Sequence, residues 1–190
     1  MIRKILGTMA VLAALAAVLT LSVLAVFTST ASVGSNTFST GTVTISTSPA
    51  SAVVTFSAMA PGDQVTNPIT VTNGGTLQLR YAVTSTTTEN VLAAQLDMTI
   101  KSGVATCTNA GFSASGTVIY ATGDLGSTAG INVIGSPTQG AQAGDRTLAA
   151  AANEIICINV SLPLATSNAF QGLTSTATFA FQAEQTTNNP

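Results

Sequence analysis

The sequence predicts an all-β fold, an antiparallel β-sandwich behind an apolar N-terminal leader, and three observations predict it. Short runs alternate apolar and polar residues with period two, and Gly, Pro and Asn turn signals separate them. The polar positions are filled mainly by Thr and Ser, and β-branched Thr suits a pleated, half-wet surface. Beyond the leader no stretch carries a long helical periodicity. Charge is scarce: five basic and seven acidic side chains in 190 residues, and no His. A chain 46% hydrophobic with so little charge is not disordered by composition. With no basic patch it has no electrostatic footprint for nucleic acid.

The elements follow in chain order. Arg3 and Lys4 form a positive start, and residues 5–26 are apolar apart from Gly7, Thr8, Thr20 and Ser22. This reads as a secretory signal over residues 1–25, removed after Ala25 with Val23 at the minus-three position. Cleavage after Ala31, behind Ser29, is the second possibility. The stretch exceeds the usual apolar core of about 7–15 residues, so a membrane anchor is the competing reading. Removal leaves about 165 residues beginning at Val26, with three basic against seven acidic side chains. The chain is then secreted, extracellular or at the cell surface. Signal peptidase is its partner in export, and only the uncleaved precursor touches membrane.

Thr42-Val43-Thr44-Ile45-Ser46 is the first alternating run, and residues 52–56 form the next, ending at the turn Pro61-Gly62-Asp63. Residues 68–72 and 77–83 flank Asn73-Gly74-Gly75, a strong hairpin signal. Further runs are 96–100, 117–120, 156–162 and 176–181. In the last, Phe179 and Phe181 face the core beside Ala177, opposite Thr176, Thr178 and Ala180. Residues 123–144, with six Gly and one Pro, read as an irregular excursion. Residues 149–153 allow one helical turn at most, and the polar tail 185–190 reads as loose. The total is about seven to nine short strands, sandwich spacing.

Cys107 and Cys157 are the only cysteines. In an exported chain an isolated pair usually forms a disulfide, and this one closes a loop of about 50 residues, worth about 4 kcal/mol on the chain-entropy model. Free thiols or a metal pair are the alternatives, and neither a His nor a third Cys is present to support metal.

Three stretches together resemble the TasA/camelysin family of secreted bacterial biofilm-matrix proteins. The first is Asn36-Thr37-Phe38-Ser39-Thr40-Gly41-Thr42-Val43-Thr44-Ile45 after the long leader. The second is Met59-Ala60-Pro61-Gly62-Asp63 with the run from Val71-Thr72-Asn73-Gly74-Gly75-Thr76-Leu77 to Arg80-Tyr81. The third combines Gly144-Asp145-Arg146-Thr147-Leu148, Cys157, Leu162-Pro163, Asn168-Ala169-Phe170-Gln171-Gly172 and Phe181-Gln182-Ala183-Glu184-Gln185. The resemblance implies a jelly-roll-like sandwich over residues 37–184 whose copies polymerise head-to-tail into extracellular fibres. The N-terminal segment 26–36 of one subunit would complete the sheet of the next. That segment lacks the charges often found there in the family.

Family members have also been classed as metallopeptidases, and the residues argue against that chemistry. Without His there is no HExxH and no Ser-His-Asp triad. Lys101, the sole Lys of the mature chain, reads as a solvated turn residue rather than half of a Ser-Lys dyad. The seven carboxylates are scattered and fit no calcium loop, and no phosphate-binding Gly-Lys-Ser/Thr occurs. Asp63 reads as a turn residue bonding nearby amides, and Asp145 as the local partner of Arg146. The expectation is a non-enzymatic structural subunit with no cofactor, no metal and a second copy of itself as partner. Its donor segment is uncharged and extended-friendly, with Val26, Phe27 and Val33 as the apolar positions. A monomeric, adhesin-like surface sandwich is the alternative function, and a camelysin-type metallopeptidase a third.

Overall fold

The computed structural model describes residues 1–22, 34, 37–51 and 58–189. The chain divides into two units, Met1–Ser39 and Thr40–Pro190. In the first, α1 (Ile2–Ser22) takes up the apolar part of the leader, whose Ala and Leu are strong helix formers. Both predicted cleavage positions and the segment bearing Val26, Phe27 and Val33 lie outside the described residues. So does the predicted strand at 52–56.

The second unit is the sandwich. Its described strands are β1 (Ile45–Ser48), β2 (Gln64–Asn73), β3 (Leu79–Thr87), β4 (Asp97–Ser102), β5 (Thr117–Asp124), β6 (Ile131–Ile134), β7 (Arg146–Leu148), β8 (Asn153–Ser161) and β9 (Ala177–Gln185). Two short helices, α2 (Val91–Gln95) and α3 (Asn109–Ala114), and a 3₁₀ turn at Asn168–Phe170 interrupt them. One sheet has five strands in the order β1-β2-β8-β4-β5. In the other, β3 runs down the middle, β9 pairs with its whole length, and β6 and β7 share its other side end to end. All these strand pairs are antiparallel.

Period-two alternation builds the core between the sheets. Ile69 and Val71 of β2, Met98 and Ile100 of β4, and Ile156, Ile158 and Val160 of β8 meet Leu79, Tyr81 and Val83 of β3, with Val133, Ile134 and Leu148 beside them. Each is fully or nearly fully removed from solvent. Burial of a side chain of this size contributes about 1.5–3 kcal/mol. Phe179 and Phe181 of β9 face the same core, as expected, with Phe181 opposite Val83 and its ring 6.0 Å from that of Tyr81.

The Asn73-Gly74-Gly75 turn departs from expectation. It is not a hairpin: β2 and β3 belong to different sheets, and the turn carries the chain across the sandwich. The buried Asn73 side chain holds the corner. Its Nδ2 donates to the carbonyls of Leu77, Leu148 and Ala149, and its Oδ1 accepts from the Gly75 N–H at 2.9 Å. These bonds substitute for a hairpin ladder. Gly75 cannot carry a side chain, since a Cβ there would collide with the Thr42 carbonyl. Thr42 and Thr44 accept backbone bonds from Thr76 and Gly74, so the regular part of the opening strand begins only at Ile45.

Other segments differ in detail. The glycine-rich excursion contains β6. Residues 149–152 form a tight turn with Ala151 at φ 57° rather than a helical one. The tail is anchored through Asn189: Thr186 bonds Gln78 through backbone and side chain, and the Asn189 carbonyl accepts from Arg80.

Candidate functional site

The predicted cysteine pair is joined, with Cα atoms 5.5 Å apart across a sequence separation of 50. Cys157 sits in the middle of β8 on the face away from the core. A strand residue there should meet water, yet it is buried. The cover is the segment 103–116, which carries α3 over the back of β2 and β8, tied down at Cys107. Thr108 caps α3 by accepting from the Gly111 N–H, and Asn109 donates to the Gln64 carbonyl at 3.0 Å. Beneath the flap lies a small second core of Phe112, Cys157, Thr66 and Asn159. Lys101 is part of it rather than a solvated turn residue: it belongs to β4, and its Nζ donates to the Phe112 carbonyl at 2.7 Å and lies 4.6 Å from the centre of the Phe112 ring. Asn159, head of the formal glycosylation sequon Asn159-Val160-Ser161, donates to Thr66 Oγ1 and Gln64 Oε1 and is closed to glycan transfer.

The carboxylates are nearly all engaged by the fold. Asp63 accepts from the Ala60 N–H at 2.8 Å, as its turn role predicts. Glu89 accepts from the Val91, Leu92 and Ala93 amides at the start of α2. Burial works against its charged form. Hydrogen bonding from those three amides opposes that and holds the carboxyl below its ordinary pKa. Asp145 does not pair with Arg146. It accepts from the Ser136 and Gln142 amides, pinning the loop after β6. Arg146 instead makes a forked ion pair with Glu154, at 2.5 and 3.0 Å. The Glu154 carboxylate also accepts from the Tyr81 hydroxyl at 2.7 Å, linking β3 of one sheet to β8 of the other. Burial first, and then that bond, push the Tyr81 phenol well above its usual range. Glu184 faces Arg80 across the β3–β9 ladder at 2.6 Å and accepts from the Gly140 N–H. Hydrogen bonding with Asn189 leads the causes that lower its pKa, with Arg80 and Gly140 adding to it.

Sequence reasoning missed the Arg80–Glu184 and Arg146–Glu154–Tyr81 contacts, because each depends on strand pairing that no local motif encodes. Asp97 and Asp124 remain, opposite each other in the β4–β5 register.

This arrangement does not fit a catalytic zinc ion, which takes about three protein ligands from His, Cys and carboxylates. The chain has no His, its two cysteines are bonded to each other, and N–H or cationic donors already point at five of its seven carboxylates. Among the described residues no group of three or more candidate ligands could hold a metal. Fold and site thus define a β-sandwich domain, stapled by one disulfide, with its cations and most of its carboxylates tied into the structure. The camelysin metallo-endopeptidase family matches over residues 1–111, more than half of the chain, and the chain belongs to that family. No curated protein sequence matches it.

Proposed function

We propose that this chain is a structural subunit of an extracellular, biofilm-matrix type filament, not an enzyme, and that it polymerises when residues 26–36 of one copy complete a sheet of the next. The observation that carries this reading is how the fold uses its charges. Arg80, Lys101 and Arg146, the cations of the predicted mature chain, are all bonded to groups of the folded domain, and the carboxylates serve as caps and clasps. Among the described residues that leaves no group of three or more ligands for a hydrolytic metal. Between Lys4 and Asp63 the sequence has no charged residue, so the leading segments of neighbouring copies do not repel one another. Strand donation to a different molecule is head-to-tail and does not close, which yields a filament.

Electron microscopy of the chain secreted from a host that processes its leader tests this. Filaments are expected from the parent. A chain lacking residues 26–33 behind an intact leader is expected to remain folded and monomeric. If the deletion leaves assembly unchanged, or the parent never assembles, the adhesin-like monomer is the better description. The family's description favours a second reading, metallo-endopeptidase. For this chain casein cleavage is expected to be nil with or without chelator, and chelator-sensitive cleavage by the purified protein would overturn the structural reading.

A further inference from the structure

We infer that the acceptor for the incoming strand is the outer edge of β9, a deepening that rests on the donor reading above. Four edges are available for comparison. β1 spans four residues and ends at Pro49. β5 is longer, but its ladder with β4 shifts register twice, and such bulges twist an edge away from partners. β6 and β7 have four and three residues. β9 differs from all of these. It runs nine residues in unbroken register with β3, and no described strand lies against its other side. From Ala177 to Ala183 it has no charge, Pro, Gly or bulge, the devices with which edge strands ordinarily discourage pairing.

The core beneath this edge is also incompletely covered. Ala177, Phe179, Phe181 and Ala183 point inward and pack on the buried cluster, yet all four stay only half-buried. An added strand would supply the missing cover if it brought apolar residues at alternate positions. The segment 26–33 does so. In an extended chain Phe27, Ser29, Ala31 and Val33 share one face, and Val26, Thr28, Thr30 and Ser32 share the other. The first face matches the inward row of β9. The second matches its outward Thr178, Ala180 and Gln182, where Thr–Thr pairing contributes. Eight residues span roughly the length of the open edge at about 3.3 Å each, and neither partner carries charge over that stretch. The occupant is therefore residues 26–33 of a second copy.

Thiol crosslinking of the full chain from a secreting host tests the edge separately from the donor reading. Ala180 is exposed on β9, and the native cysteines are already bonded, so introduced thiols are the only reactive ones. Copies carrying Thr30→Cys and Ala180→Cys, treated with a short bismaleimide, are expected to give a covalent ladder of multiples of one chain, with the crosslinked peptides joining positions 30 and 180. If filaments form but Thr30→Cys couples instead to Thr47→Cys on β1 or Val118→Cys on β5, the edge assignment is wrong while strand donation stands. If Val54→Cys couples to Ala180→Cys within single chains at a dilution that prevents assembly, the chain covers its own edge and the assignment is again wrong. Filaments that form without residues 26–33 overturn donation, and the acceptor with it.

Discussion

β8 and β9 are both nine-residue strands, and both alternate apolar with polar residues, yet they end in different surroundings. From Ile156 to Val160, β8 is buried on both faces, because the disulfide-tied flap covers the side its pattern turns toward water. β9 has solvent on its outward face and only half-covered phenylalanines on the inward one. Alternation tells which way a side chain points. It does not tell what covers it. The five-stranded sheet closes itself with a covalent staple and a second small core, whereas among the described strands the smaller sheet keeps a long regular edge with apolar surface beneath.

The largest way to break this contrast is to remove the staple. The double change Cys107→Ser and Cys157→Ala should lower stability by about 4 kcal/mol on the chain-entropy model for a loop of this length. Urea unfolding monitored by circular dichroism reads the loss. Hydrogen exchange should place new exposure in β8 and β2 beneath the flap, with β9 unchanged. Equal deprotection of β9 would mean that the two sheets are not independently closed.

A smaller effect sharpens the same comparison by truncating one core residue on each side. Ile158→Ala, at a position with essentially no exposure, should cost about 3 kcal/mol. Phe181→Ala removes more atoms but from a half-covered site, so about 1–2 kcal/mol is expected in the monomer, below the usual range for a buried Phe. If the two costs were reversed in urea melts of the monomer, the β9 side would already be closed.

Much of this was legible in the sequence. The alternating runs located most of the strands and placed Phe179 and Phe181 inward, and the isolated cysteine pair of a chain expected to be exported pointed to the Cys107–Cys157 disulfide. Asn73-Gly74-Gly75 shows where local reading stops. Asn-Gly between two alternating runs normally closes a hairpin, but here the Asn73 side chain reaches carbonyls 75 and 76 residues away, and only the folded chain brings them within reach. The same holds for Lys101 and Asp145. Each sits beside an obvious sequence neighbour, Ser102 or Arg146, yet Lys101 bonds the Phe112 carbonyl of the flap and Asp145 bonds the Ser136 and Gln142 amides of its own loop. Val26, Phe27 and Val33, proposed as donor residues, are legible only as an uncharged, extended-friendly pattern and lie outside the described residues.

The smallest expected effect concerns acid, and it too separates the two sheets. Glu184 ends β9 with its pKa held below the ordinary value of 4.5, and Glu89 at the start of α2 is lowered as well. A depressed folded pKa gives stability that is present above the unfolded value and drains away as pH falls through the folded one. Thermal melts should therefore hold level above about pH 5 and decline below about pH 4.5. Glu184 joins β9 to Arg80 and to the Gly140 loop, so its protonation loosens the smaller sheet while the disulfide, which does not titrate, still holds the other. Glu184→Gln should flatten part of the acid limb and also lower stability at neutral pH, because Arg80 is buried and loses its counter-charge. A variant whose melting temperature fell with acid as steeply as the parent's would show that the β9 clasp is not what acid releases.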